Sequence, residues 1–506
     1  MQFYRKDGKV KNTVVLLCFL IASLLLYAPV LNKYLASDDF MVMKRVALDK
    51  VVFIKGFFRP LSDITLYFSY WLGGFNAVYY NVFNIVAHAF CSFFLFMICR
   101  RSNLSINGNN EKFAWLSAIL FLCYPFHNEA VIWGVGRASI LASFFGAMSL
   151  LVVAGYPNQY WKYFLSAVFY FVALSAYESV IFIPAIVVIL LWLENKGYKY
   201  FLVAGVSFSI ALLAHFIVRI LISGNVVGDY ASGMLKFSLI KFLEKFIKAV
   251  ARLFLPPMWN SMAFGFFTAV IFIVLVYIIY KAMRNLNRKV IYGLSLMLGF
   301  SLAAPVMFSV STRTSESDRM LYFPSFFLCL IVSYLIYSFK ISSFQRKLVI
   351  TFLIIYSIVF LQINNSNWSK ASLITKEILG TIKAQANGNK HMIVLNIPNE
   401  YKGAFIFQNG FNDALIIHKI DTSFVLAASY IDIEQYHSLS PTIKPESIGD
   451  TIIVRPAAKI WYNKTGKNYL LHISGKNDVV VLDEKDEIWY WNKEKLVRLL
   501  FDEVRR

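Results

Sequence analysis

Ala36-Ser37-Asp38-Asp39-Phe40 follows directly on an uncharged apolar run, residues 13–31, that is long enough to cross a bilayer. Two adjacent carboxylates just beyond a membrane helix are poorly suited to packing. They are well suited to take a proton from an acceptor hydroxyl or amide, or to hold a divalent cation such as Mg or Mn. Taken alone the pair also reads as the solvated start of a loop, so the rest of the chain decides between these uses.

The remainder repeats the first run. Uncharged apolar stretches of about twenty residues recur along the chain. Of its 506 residues 58% are hydrophobic and 17% aromatic, and only 16% are charged. A soluble domain carries about 25% charged residues, so this is an α-helical polytopic membrane protein. The formal net charge of +21 suits anionic lipid headgroups rather than nucleic acid, because Lys and Arg gather between apolar runs. All five cysteines lie in apolar runs, which provides neither a disulfide framework nor a zinc spacing. The first run lacks a small-residue cleavage pattern and reads as a retained helix.

Basic residues orient the spans. Arg5, Lys6, Lys9 and Lys11 place the N-terminus inside, and the first helix then carries Asp38 and Asp39 out. Arg100, Lys196, Lys199, Arg288 and Arg346 mark later inner loops. About eleven spans are expected within residues 1–363. Two segments, 43–74 and 224–260, mix Lys and Arg with apolar residues and are expected to lie along the outer surface. From residue 364 charges become frequent and short β-rich pieces appear, at 392–397, 451–455, 469–474 and 479–482. Residues 493–506 show helical spacing of Leu496, Leu499, Leu500 and Val504. Residues 364–506 are therefore expected to form a small extracytoplasmic α+β domain without chemistry of its own.

Charged and polar intrusions collect at the outer ends of the spans. Arg59 precedes helix-breaking Pro60, which fixes the chain where Arg59 reaches back to the membrane surface, and its planar fork suits a phosphate. Asn81, Asn84 and His88 share one helix face, where polar groups pair between helices or line a cavity. His127 and Glu129 sit with Arg137 around the next helix ends, either as a structural ion pair or as the lining of a polar site. Glu178 interrupts a hairpin, and Arg319 and Tyr322 open a late span.

In order, Asp38-Asp39, Arg59-Pro60-Leu61-Ser62, Tyr80-Asn81 through His88, His127-Asn128-Glu129-Ala130 with Gly136-Arg137, Tyr177-Glu178-Ser179 and Asp318-Arg319 through Pro324 form a set. This set resembles the membrane part of the transmembrane and tetratricopeptide-repeat protein O-mannosyltransferases. More broadly it resembles the GT-C glycosyltransferases that use polyprenyl-phosphate sugars. The resemblance covers residues 37–324. It implies a catalytic acidic residue at Asp38 or Asp39, a polyprenyl-phosphate-linked sugar donor entering from the bilayer, and a protein, glycan or lipid acceptor arriving from outside. It makes Arg59, His127, Glu129, Arg137 and Arg319 candidates for donor or acceptor binding, alongside His88, Glu178 and Tyr322. The tail lacks tetratricopeptide repeats, and Asp318-Arg319 stands where the family often has Glu-Arg, so sugar and acceptor do not carry over.

The expected activity is inverting sugar transfer, with Asp38 as base and Arg59 and Arg319 facing the leaving phosphate. The missing repeats point to a bacterial plasma membrane. A transporter or flippase of lipid-linked sugars is the alternative, but it calls for paired halves with broken helices, and no internal symmetry is visible. A non-catalytic scaffold would leave the acidic pair without a use.

Overall fold

The computed structural model describes residues 11–101, 110–155, 159–225, 238–258, 260–386, 390–427, 430–431, 446–448, 451–454, 458–462, 469–473, 479–482, 486–492 and 494–499. Arg5, Lys6, Lys9, Lys236, Leu500 and Val504 lie outside them.

Sixteen α-helices are described: α1 Asn12–Tyr27, α2 Asp38–Met43, α3 Pro60–Gly73, α4 Ala77–Arg101, α5 Asn110–Leu122, α6 Asn128–Val131, α7 Arg137–Gly155, α8 Trp161–Leu174, α9 Ile183–Leu193, α10 Tyr198–Ser223, α11 Leu239–Arg252, α12 Ser261–Asn285, α13 Arg288–Phe308, α14 Tyr322–Ser338, α15 Ser343–Gln385 and α16 Phe411–Ile417. Eight of the helical segments are long and apolar enough to cross a membrane, which makes this an integral multi-pass membrane protein. Helix α8, together with residues 178–193, is apolar but shorter.

Prolines and polar caps punctuate this series. Pro29 has no N–H to extend the ladder, so α1 tightens into a 3-10 turn, Ala28–Val30, and stops. Pro60 opens α3, where a missing N–H costs nothing. Asn260 and Asn287 cap α12 and α13 by accepting backbone N–H bonds. Gly224 ends α10 in the left-handed region, at φ 77°.

The chain divides into two compact units, residues 1–32 with 50–365, and residues 33–49 with 366–506. The expected boundary at residue 364 thus falls inside the continuous helix α15. The segment around the acidic pair, assigned on sequence to the membrane part, clusters with the tail instead.

In the first unit α4, α7 and α14 are largely buried, whereas α12 buries only Phe264 and Ala282. Its remaining apolar side chains face outward, as lipid contact requires. The basic surface segment expected at 224–260 contains α11, which presents Leu239, Ile240, Leu243 and Ile247 outward alongside Lys241 and Lys245.

The second unit contains a four-stranded sheet ordered Leu496–Arg498, Glu487–Trp491, Met392–Leu395, Val425–Ala427. Met392–Leu395 runs parallel to both of its neighbours, and Leu496–Arg498 closes the edge antiparallel. The helix expected at 493–506 is therefore replaced, over its described part, by a strand. Edge pairing with Glu487–Trp491 overrides the local leucine spacing. A five-stranded antiparallel sheet runs through Glu446–Ile448, Thr451–Val454, Ala458–Tyr462, Tyr469–Ile473 and Val479–Leu482.

Candidate functional site

The two carboxylates of the second unit have different surroundings. Ser37 adopts φ 50° and ψ −123°, which turns the chain into α2. Its N–H donates to the Ile406 carbonyl at 2.9 Å, and its hydroxyl accepts the Asn409 N–H at 3.2 Å. A Cβ on Gly410 would come within 2.6 Å of the Ser37 carbonyl oxygen, so only glycine permits this approach. Asp39 is buried. One of its oxygens accepts the Ala36 N–H at 3.1 Å and lies 3.8 Å from the buried Lys33 ammonium. Burial pulls the Lys33 pKa down to about 8, against the opposing pull of Asp39. Asp38 is partly exposed, and one oxygen accepts Asn409 Nδ2–H at 2.8 Å. One carboxylate is thus a structural ion-pair member, and the other is held at the surface by a single amide.

The divalent cation expected at this pair finds a poor fit. A clamp needs both carboxylates turned to one point, whereas Asp39 faces Lys33. Among the described residues no three His, Cys, Asp or Glu side chains gather as metal ligands.

In the first unit Glu129 and Arg319 meet. The fully buried Glu129 carboxylate accepts the Ser317 N–H at 3.3 Å, the Arg319 N–H at 2.6 Å and the Arg319 guanidinium. Burial raises the Glu129 pKa, and the Arg319 cation opposes that shift. Gly136 makes the fold-back possible, because a Cβ there would strike the Glu129 and Ala130 carbonyls. The Arg319 guanidinium lies 4.9 Å from the Trp133 ring centre, and its side chain keeps 20% exposure. Beside it, Asp318 pairs with fully buried Arg252, which also donates Nε–H to the Ser311 carbonyl at 2.9 Å. The Arg252 guanidinium sits 5.6 Å from the Phe126 ring centre.

Below Phe126 an apolar groove of about 270 Å³ is lined by Tyr124, Leu253, Leu328, Phe352 and Tyr356 among others. Tyr124 and Tyr356 turn their hydroxyls away, donating to the Leu253 and Phe254 carbonyls. The groove walls are largely apolar, and the Arg252 guanidinium sits against the lining residue Phe126.

A second polar cluster joins Arg59, Glu178 and Arg219. Arg59 Nε lies 3.9 Å from Glu178, whose other oxygen pairs with Arg219. The Arg59 guanidinium is sandwiched 4.4 Å from Phe57 and 4.3 Å from Tyr177. Among the described residues, buried Arg219 Nε, His215 Nδ1 and Tyr177 OH have no hydrogen-bond partner. Helix α13 packs against both this cluster, at the turn Glu178–Val180, and the turn Asp318–Leu321 that carries Arg319.

Other candidates are placed in the packing. Arg137 is fully buried. Its guanidinium donates to Asn84 Oδ1 at 2.8 Å, the Thr65 carbonyl at 2.6 Å, Ser69 Oγ at 3.0 Å and the Tyr80 carbonyl at 3.1 Å. That fork ties α3, α4 and α7 together. His88 Nε2–H donates to the Leu122 carbonyl at 3.0 Å, so its Nδ1 accepts the Tyr322 hydroxyl at 2.6 Å. The Ser325 hydroxyl donates to the Tyr322 carbonyl, so His127 Nε2–H donates to Ser325 at 2.7 Å. These residues form a buried, neutral, aromatic knot. Asn81 bonds the Leu31 carbonyl at 2.9 Å, the helix-pairing use expected of it.

Sequence reasoning did not single out Lys33, Arg219, Arg252 or Asn409. The signal that could have found Arg219 is a charge near the end of a span. Lys33 and Asn409 carried no local signal.

These features define a helical, multi-pass membrane protein with cation-carboxylate pairs at helix ends and an apolar groove beneath one of them. No protein-family model matches the chain. Part of it is similar to protein O-mannosyl-transferase TMTC1 of Homo sapiens, 34% identical over 85 residues, which is 17% of this chain and 9% of that protein. It is likewise 34% identical over 88 residues to protein O-mannosyl-transferase TMTC3 of Mus musculus, covering 17% and 9%. Against protein O-mannosyl-transferase TMTC2 of Mus musculus it is 29% identical over 114 residues, covering 21% and 13%. The matched stretches thus span only about a tenth of those relatives. The crystal structure of ArnT from Cupriavidus metallidurans bound to undecaprenyl phosphate aligns with 84% of this chain and 91% of its own, at TM-score 0.46 and 11% identity. The resemblance carried by the residue motifs is matched by the similarity to the O-mannosyl-transferases.

Proposed function

We propose that the chain is an inverting GT-C-type glycosyltransferase. It moves a sugar from a polyprenyl-phosphate or related lipid-phosphate donor to an acceptor on the outer side of the membrane. The observation that carries this reading is the apolar groove lined by Phe126, against whose ring the paired Arg252 sits, with Arg319-Glu129 joined to the same turn through Asp318-Arg319. An isoprenoid tail suits the groove, and a partly exposed guanidinium suits its phosphate. The similarity to O-mannosyltransferases supports the same reaction class.

In this reading the acceptor oxygen attacks the anomeric carbon, its proton passes to Asp38, and the bond from that carbon to the phosphate oxygen breaks. The lipid phosphate leaves with the electron pair. Arg319 and Arg59 stabilise the charge growing on it. Asp38 is preferred as base because Asp39 is engaged with Lys33. The same engagement favours a reaction without a divalent cation. The tail holds Asp38 through Asn409 and influences the acceptor. A bacterial plasma membrane with the tail extracytoplasmic completes the proposal.

The test is transfer from a radiolabelled polyprenyl-phosphate sugar in proteoliposomes, with donor binding measured in parallel. Asp38→Asn is expected to abolish transfer and leave donor binding intact. Transfer at the wild-type rate by both Asp38→Asn and Asp39→Asn would overturn the mechanism. Loss of transfer on adding EDTA would overturn the metal-free part.

A further inference from the structure

A cleft of about 670 Å³ opens where α12 ends, α13 begins and α14 ends. Its polar lining includes Tyr277, Lys281, Asn285, Asn287, Ser338 and Lys340. Arg319 lies just before α14, and the cleft is lined by the last turn of that seventeen-residue helix and the residues after it, so the length of α14 separates them. At 1.5 Å per residue this is about 25 Å, close to the thickness of a bilayer's hydrocarbon core. The cleft therefore sits at the membrane interface opposite the Glu129-Arg319 pair.

The lining is made of hydrogen-bond donors. Asn287 already uses its Oδ1 to cap α13, and Asn285 Nδ2 donates to the Lys281 carbonyl at 2.9 Å. The Lys281 ammonium leans over the Tyr277 ring at 5.9 Å, and Lys340 faces it from the end of α14. Arg284, Arg288, Lys289, Arg346 and Lys347 lie close to the lining residues in sequence, and residues 277–289 and 334–347 contain no Asp or Glu. A topological signal needs only a basic loop, whereas here Lys281 and Lys340 line a concave space. Immediately beyond it, α12 turns Ile273, Val276 and Tyr280 outward, giving acyl chains an apolar wall below the headgroup.

We infer that this cleft binds the headgroup of an anionic phospholipid from the leaflet opposite the Glu129-Arg319 pair. Lys281 and Lys340 take the phosphate, and the exposed face of α12 takes the acyl chains. The inference does not depend on the reaction proposed above.

The full-length chain would be reconstituted in nanodiscs and its retained lipid weighed by native mass spectrometry. The discs would contain equal phosphatidylglycerol and phosphatidylcholine. The wild type is expected to retain phosphatidylglycerol preferentially, and Lys281→Gln/Lys340→Gln to lose about tenfold of that preference. Lys112→Gln/Lys199→Gln, with the same charge change outside the cleft, is expected to keep it. Equal loss in both pairs, or no preference in the wild type, would overturn the site. Competition by soluble glycerol phosphate as effective as by the lipid would assign the cleft to a free phosphate and overturn the lipid. A measurement on the wild type alone guards against misfolding of the variants. Phosphatidylglycerol is expected to slow hydrogen exchange in residues 281–289 and 338–341, and unchanged exchange there would also overturn the site.

Discussion

Asp38 and Asp39 are neighbours in sequence and opposites in environment, and their amide variants separate the two roles. Asp38 keeps solvent contact and a single amide partner. Asp38→Asn removes a base while preserving shape, so transfer is expected to fall ~10²- to 10⁴-fold with little change in melting temperature. Asp39→Asn strips the buried Lys33 ammonium of its carboxylate. A loss of about 3 kcal/mol is expected, read as a lower thermal midpoint of the whole chain in detergent. Lys33 also yields a pH dependence. Its folded pKa is lowered to about 8, below the ordinary value near 10.5, so between those limits the unfolded chain holds the extra proton. The lysine's contribution to stability therefore rises across that window, and below pH 8 the full burial cost applies. Melting of the wild type relative to Lys33→Met should improve from pH 8 to pH 10. A flat difference would contradict the burial described here.

At the scale of elements, two guanidiniums near helix starts do different work. Arg137 opens α7, and its fork spans backbone carbonyls and side chains of α3 and α4. A lysine cannot reproduce a planar fork. Arg137→Lys is expected to destabilise the helix packing by a few kcal/mol, on the scale of breaking a buried hydrogen-bonded charge. Donor affinity per folded molecule should stay unchanged. Arg59 caps the start of α3 between Phe57 and Tyr177, close to Glu178 and Arg219. Arg59→Ala should leave the melting temperature nearly constant and weaken donor binding about tenfold or more, since a charge-assisted bond to phosphate is lost. Equilibrium binding of a fluorescent polyprenyl phosphate distinguishes these two outcomes. Equal binding loss in both variants would mean that Arg137 also faces the donor.

At the scale of the molecule, the basic loops and the ends of the helices predict one orientation. Asp38, His127, Glu129, Arg319 and the tail are expected on the outer face, and Arg100, Lys196, Arg288 and Arg346 inside. Single cysteines at positions 38 and 288, in a cysteine-free background, can be labelled from outside in intact cells. Labelling at 38 and not at 288 is expected, and the reverse would sink the topology.

The sequence alone determined the membrane class and the helix-end residues that merit attention. Apolar run length, proline and basic loops are local properties, and they survive whatever the neighbours are. It also marked Asp38, Arg59, Glu129, Glu178 and Arg319 as charges that membrane packing does not explain. Only the tertiary structure decided their partners. Glu129 closes on a turn 190 residues away, and Arg219 meets Glu178 across 41 residues. Asp39 is buried by Lys33, and Asp38 is held by an asparagine 371 residues further on. An ion pair is set by which helices pack together, and the spacing of charges along one helix carries no record of that choice. The same reason explains the strand at Leu496–Arg498, where pairing with a distant edge outweighs a leucine pattern that suits a helix.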